Sequence, residues 1–237
     1  MATTSAIPWS EPTVPLPIPP LQSGDRLTEE EFERRYNAMP HLKKAELIDG
    51  VVYVSSPVFE DHGGPYFDTI GWLSIYRAAT PGILGGDNTT MRLDNRNMPQ
   101  PDAFLRIDPR CGGRARVGPD GYLAGAPEWI AEIAVTSANY DLREKLEVYR
   151  RYEVYEYFVW RVWDRAIDWF VLREGQYARL EPGADGIYRS DVLPGLWLDA
   201  AAMLRGDLEM VARVAHEGIS SQEHAAFVAL LQRDRGE

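Results

Sequence analysis

Glu132 stands in "WIAEIAVTSANYDLREKLEVY", residues 129–149, inside a run that is otherwise apolar and strand-like. An ionised carboxylate among Ile130, Ile133 and Val135 is costly to bury unless a partner compensates it. A second acid, Asp102, opens another apolar run, "QPDAFLRI", directly after Pro101. If the two runs are neighbouring strands, their carboxylates approach at one end of a sheet. At about 4 Å they would repel by about 4 kcal/mol at an effective dielectric of about 20. Either one of them takes a proton or a cation sits between them. Oxygen-only ligands of this kind suit Mg²⁺ or Mn²⁺ rather than zinc. Further on, Asp141, Lys145 and Tyr149 recur at every fourth residue and share one helix face. Turned toward the strand ends, that face would deliver the Lys145 ammonium to the carboxylates. The same spacing also fits an exposed Asp141–Lys145 pair of small energetic weight, with Tyr149 half-buried below it.

Other chemistries lack their residues. The chain has no G-x-x-x-x-G-K-[ST] phosphate loop, no G-x-G-x-x-G and no G-x-S-x-G elbow. His41, His62, His216 and His224 show no zinc-type spacing with each other or with Cys111.

The elements that must position these residues follow from pattern and turn chemistry. Thr28 and Glu31 in "TEEEF" have capping-box spacing, which predicts a short helix to Asn37. Asp49-Gly50 in "AELIDGVVYVSS" predicts a hairpin with a type I′ turn. Phe67, Ile70, Leu73 and Ile75 predict a long helix over 62–79. "ILGGDNTTMRLD" and "PDAFLRI" read as strands, and the Gly-, Pro- and Arg-rich stretch 108–125 as a mobile surface loop. A strand near 128–135 then passes through a polar turn to a helix near 140–152, with Ser137 or Asn139 as its cap. "YEYFVWRVWD" and "AIDWFVLRE" form a hairpin around Asp164-Arg165, "DGIYRSDVLPGLWLD" adds β character, and helices follow Leu198. The path predicts one α/β domain, a mixed sheet covered by helices, over residues 25–205. A Pro-rich extended arm (1–24) precedes it and a helical extension (206–237) follows.

Composition narrows the class. At 237 residues and 45% hydrophobic content the chain can bury one sizeable core. No apolar run approaches the roughly 20 residues that span a bilayer, and no signal peptide is expected. A single cysteine, Cys111, suits a reducing cytoplasm. The net charge of -11 argues against a protein that coats nucleic acid by bulk charge. Arg92, Arg96, Arg106, Arg110, Arg114 and Arg116 lie close in sequence, either as a local basic patch or as scattered solvated charges.

"ELIDGVVYVSSP", a histidine shortly afterwards, "PDAFLRI", "GAPEWIAEIAVTSANYDLREKLEVYRRYEVYEYFVW" and "LPGLWLD" together resemble the Uma-two family of endonucleases. That family belongs to the PD-(D/E)XK phosphodiesterase superfamily, whose fold resembles restriction endonucleases. The resemblance runs from about Leu42 to about Leu204. It implies that Asp102 and Glu132 are catalytic acids and metal ligands, that Ile133 lends its backbone carbonyl, and that Glu46 is an additional acid. Ala134 occupies the usual lysine position, and Lys145 matches a lysine supplied from the next helix. His62, Asp141 and Tyr149 match supporting positions. The activity so implied is Mg²⁺- or Mn²⁺-dependent hydrolysis of nucleic acid, DNA first, with a homodimer as one arrangement. The alternative is a catalytically silent copy of the same fold acting as a binding or assembly module.

Overall fold

The computed structural model describes residues 17–55 and 60–234. Thr28 caps α1 (Glu29–Asn37), its hydroxyl accepting from the Glu31 N–H at 3.4 Å. Asp49 and Gly50 close a hairpin of β1 (Ala45–Ile48) and β2 (Val51–Val54). Both turn residues have positive φ, 51° and 75°, as a type I′ turn requires. The end of the arm is tied to this hairpin: Leu21 is buried with Leu47 and Val52, and the Gly24 N–H donates to the Val52 carbonyl at 2.8 Å. The first sixteen residues of the arm, Trp9 among them, lie outside the described residues.

The long helix is α2 (Glu60–Ala79); Ile70, Leu73 and Ile75 lie on its core side as expected, and Phe67 does not. Thr69, Trp72, Leu73 and Tyr76 turn inward, whereas Phe67 is 76% exposed. Trp72 decides the rotation. Its ring sits 5.8 Å from Trp129 and 5.9 Å from Trp169, and its indole N–H donates to the Trp197 carbonyl.

After α2 come β3 (Ile83–Asp87), β4 (Met91–Arg92), β5 (Ala103–Ile107), β6 (Arg116–Val117), β7 (Leu123–Ala124) and β8 (Trp129–Ala134). A helical segment then comprises α3 (Ala138–Tyr140), one π-helical turn (Asp141–Lys145) and α4 (Leu146–Arg151). It leads into β9 (Glu156–Arg161), β10 (Ala166–Arg173), β11 (Gln176–Arg179), β12 (Ile187–Arg189) and β13 (Trp197–Asp199). The chain ends in α5 (Ala200–Leu204), α6 (Leu208–Ile219) and α7 (Gln222–Asp234).

The central sheet has six strands in the order β11-β10-β9-β8-β5-β3. Its one parallel pair is β8–β9, because the helical segment 138–151 crosses over between them. All other neighbours are antiparallel. Alternation along β8 splits the core. Trp129, Ala131 and Ile133 face the layer containing α2, and Ile130 and Ala134 face the helical segment with Tyr149 and Tyr157.

The stretch 108–125 is built into the structure: β6 and β7 join β4 in a small sheet, and Cys111, Ala115 and Leu123 are buried. Its glycines serve close packing, since a Cβ on Gly113 would lie 1.9 Å from the Ile107 carbonyl oxygen. The arginines that follow one another in sequence form no common basic patch. Arg92 pairs with Glu29, Glu33 and Asp120; Arg110 with Asp108; and Arg114 with Glu128 and Glu153. Arg96 and Arg106 donate to backbone carbonyls. Ser137 precedes α3 but caps nothing; its hydroxyl donates to Asp141. Beyond residue 205, Val211, Ala215 and Leu231 enter the main core beside α2. Among the described residues no helix is long and apolar enough to cross a membrane.

Candidate active site

The β5–β8 register pairs Ala103 with Ala131. One step further along the same register sets Asp102 opposite Glu132, on the face covered by the helical segment. The Ile133 N–H, at the end of that pairing, donates to Asp102 Oδ2 at 2.8 Å. In an extended strand the N–H and C=O of one residue point to the same side, so the Ile133 carbonyl is also directed to the Asp102 side.

Glu46 arrives from a different unit. The β1–β2 hairpin is held to the segment before Asp102 by a reciprocal pair of bonds between Leu47 and Met98. This brings the Gln100 N–H within 2.7 Å of Glu46 Oε1, which accepts from it. Strand alternation also brings Lys44, two residues before Glu46, to the same side.

The partner that Glu132 requires is Lys145. Its Nζ donates to Glu132 Oε1 at 2.8 Å and lies 2.8 Å from Glu46 Oε1 and 3.7 Å from Asp141 Oδ1. The Tyr149 hydroxyl donates to the same Glu132 oxygen at 3.0 Å. Tyr140 places its ring 5.3 Å from the ammonium, within cation–π range. The π turn carries Asp141 and Lys145 at its two ends; single π turns of this kind recur mostly where a helix serves a site. Thus all three members of the spaced face, Asp141, Lys145 and Tyr149, are buried and turned inward rather than exposed.

Asp102 has its own partners. Lys44 Nζ donates to Oδ1 at 2.8 Å, and His62 Nε2 lies 3.3 Å from Oδ2. Burial would raise the Asp102 carboxyl, but Lys44 and His62 outweigh it and hold it well below the usual carboxylate range. On the other side, burial lifts Glu132 to about 8 against the pull of Lys145, with Asp102 adding to the rise. Burial likewise lifts Asp141 to about 6, opposed by Lys145 and the Ser137 hydroxyl. Burial alone would depress Lys145, yet Glu132, Glu46 and Asp141 raise it well above its ordinary value. Burial is the first cause of the rise at Glu132 and Asp141, and Lys44 and His62 overcome it at Asp102. Three buried carboxylates surround a single ammonium, which stays charged while the acids carry the surplus.

That surplus bears on metal binding. Four buried carboxylates (Glu46, Asp102, Glu132, Asp141) face the two ammonium groups of Lys44 and Lys145, leaving two formal negative charges. Three buried polar atoms on the residues around them, His62 Nδ1, Gln100 Oε1 and Tyr140 OH, have no hydrogen-bond partner among the described residues. Among the described residues no group of three or more His, Cys, Asp or Glu side chains is arranged to hold a metal ion. Mg²⁺ does not need such a group: it keeps several waters and takes one or two carboxylates plus substrate oxygens. The donor set therefore fits a hard divalent cation.

Sequence reasoning missed Lys44, Gln100 and Tyr140. The signal for Lys44 was available in "KKAELI", where period-two alternation puts Lys44 and Glu46 on one side. Nothing local marked Gln100 or Tyr140.

The chain is an open mixed sheet with helices on both faces and with Asp102 and Glu132 buried. The fold matches a crystal structure described as a "putative nuclease" from Anabaena variabilis, with a TM-score of 0.53 over 75% of this chain and 99% of that one. Sequence identity with it is 13%, so the likeness concerns the fold. The chain belongs to the Uma2 family, described as "Putative restriction endonuclease", with residues 29–201 matched. Comparison with curated proteins gave no match.

Proposed function

We propose that the chain is a divalent-metal-dependent phosphodiesterase that hydrolyses nucleic acid, with DNA as the substrate to test first. The observation that carries this reading is the buried Asp102–Glu132 pairing across β5 and β8, with its excess of carboxylate over ammonium. Asp102 and Glu132, with the Ile133 carbonyl, would hold Mg²⁺ or Mn²⁺, and Glu46 would support them. When bound, such an ion lowers the pKa of a coordinated water and draws off charge at a phosphoryl oxygen.

The chain's own residues do the rest. In hydrolysis the water oxygen bonds to phosphorus, a P–O ester bond breaks, and the leaving oxygen takes up a proton. Lys145, held protonated by its three carboxylates, is no base; it fixes the carboxylates of Glu132 and Glu46 in place. Tyr149 fixes the same oxygen of Glu132. The Ile133 N–H, Lys44 and His62 fix Asp102. Such support holds ligands within the tolerance that chemistry demands.

Plasmid cleavage with Mg²⁺ or Mn²⁺, with and without EDTA, tests this. Cleavage should need the ion and should vanish in Asp102→Ala and Glu132→Ala. Undiminished cleavage by the double variant would exclude the site. One observation favours a second reading, a catalytically silent fold that binds or assembles: ammonium groups already contact Asp102, Glu132 and Glu46. Calorimetry separates the two, since the first requires Mg²⁺ or Mn²⁺ uptake that depends on Glu132.

A further inference from the structure

The site contains two lysines, and they differ in what they can reach. The side chains of Glu46, Asp102, Glu132, Asp141 and Lys145 are all 5% exposed or less. Lys44 is 19% exposed and His62 24%. Both of these exposed groups bind Asp102, one on each carboxylate oxygen. Among the described basic groups that contact the acid cluster, these two are the more exposed.

Donor capacity points the same way. An ammonium has three N–H donors. Lys145 has three carboxylates within 3.7 Å and a tyrosine ring over it. Its valence is spent inside the protein. Lys44, among the described residues, has one carboxylate partner, Asp102 at 2.8 Å. It therefore holds N–H donors for a further anion beside the acid it already binds. Its backbone is fixed as well, because the Ser55 N–H donates to the Lys44 carbonyl beside the β1–β2 hairpin.

We propose that Lys44, with His62 beside it, is the residue that contacts the scissile phosphate, while Lys145 remains enclosed and positions Glu132. The proposal rests on the phosphodiesterase reading and deepens it. It moves the substrate-facing cation from the helical segment to the segment leading into β1. Lys44 lies on Asp102 and is more exposed than the enclosed acids, so against an overall charge of -11 it offers a phosphate a local cation.

The test compares full-length wild type, Lys44→Ala, Lys44→Arg and Lys145→Met. Affinity for a labelled DNA duplex is followed by fluorescence anisotropy over a series of salt concentrations in Ca²⁺, alongside thermal unfolding and cleavage in Mg²⁺. Lys44→Ala should lower the unfolding temperature, because it removes a counter-charge from buried Asp102, and should lower the slope of log affinity against log salt by about one. Its kcat/KM should fall about tenfold or more. Lys44→Arg, which keeps the charge, should restore the slope. Lys145→Met should lower the unfolding temperature and kcat while leaving the salt slope as it is. A Lys44→Ala protein with wild-type slope and kcat/KM would overturn this proposal alone. So would a slope that falls in Lys145→Met and holds in Lys44→Ala. Wild-type protein that neither binds nor cuts nucleic acid would overturn the phosphodiesterase reading and this inference with it.

Discussion

At the scale of single residues, charge burial is the dominant physics. Lys145 is enclosed with Glu132, Glu46 and Asp141, so removing its ammonium leaves buried carboxylates without a counter-charge. Lys145→Ala should cost about 3–5 kcal/mol in urea unfolding. Adding Glu132→Gln to it should recover part of that loss; equal losses in the single and double variants would mean that the pair is not coupled. Glu156 is another buried acid, outside the site. It accepts from Ser190, Trp169 and the Asp191 and Val192 N–H groups, yet burial pushes it up to about 7 from an ordinary 4.5. The folded state then holds this proton more tightly than the unfolded state. Its stabilising contribution is full below pH 4.5 and lost as pH rises through about 7. Glu156→Gln should therefore gain on the wild type between pH 5 and 8, by up to about 3 kcal/mol. Parallel stability curves for the two proteins would show that Glu156 does not titrate in that window.

At the scale of elements, turn and cap chemistry was readable directly. The Asp49-Gly50 hairpin and the Thr28 cap form where their residues predict. Gly50 sits at a φ of 75°, and a Cβ there would lie 3.3 Å from the Leu27 carbonyl oxygen. Gly50→Ala should cost about 1 kcal/mol or more in thermal unfolding. The hairpin carries Glu46 and is flanked by Lys44, so the same variant should also weaken cleavage; an unchanged rate would mean that the hairpin's exact placement is immaterial to the site. Element faces were less legible than element bounds. In α2, Ile70, Leu73 and Ile75 pack on the core as their spacing implies, whereas Phe67 is exposed and Trp72 and Tyr76 are buried beside them. Periodicity counts apolar residues without knowing which ring will meet Trp129 and Trp169.

At the scale of the whole molecule, the helices after residue 205 share the core instead of hanging from it. Val211, Ala215 and Leu231 pack with residues of α2 and the central sheet, and His224 Nε2 lies 2.9 Å from the Thr80 hydroxyl. Fully burying each such aliphatic side chain contributes about 1.5–3 kcal/mol, against a typical net stability of about 5–15 kcal/mol. A chain ending at Arg205 should lose cooperative urea unfolding and bind a hydrophobic dye. A sharp transition at the wild-type midpoint would show instead that the final helices are dispensable.

The amino-acid sequence alone determined the alternation of strands, the turn residues, the order of β8, helical segment and β9, and the need for a counter-charge at position 132. Those properties depend on neighbours a few residues apart, where sterics and hydrophobic period operate. Tertiary structure alone decided that residues 108–125 form an ordered sheet with β4, that Arg92, Arg110 and Arg114 pair with separate acids, and that Lys44 meets Asp102, 58 positions further along the chain. Pairing and burial of charge are set by distance in space, and the register of β5 against β8 creates that distance only once the sheet has closed.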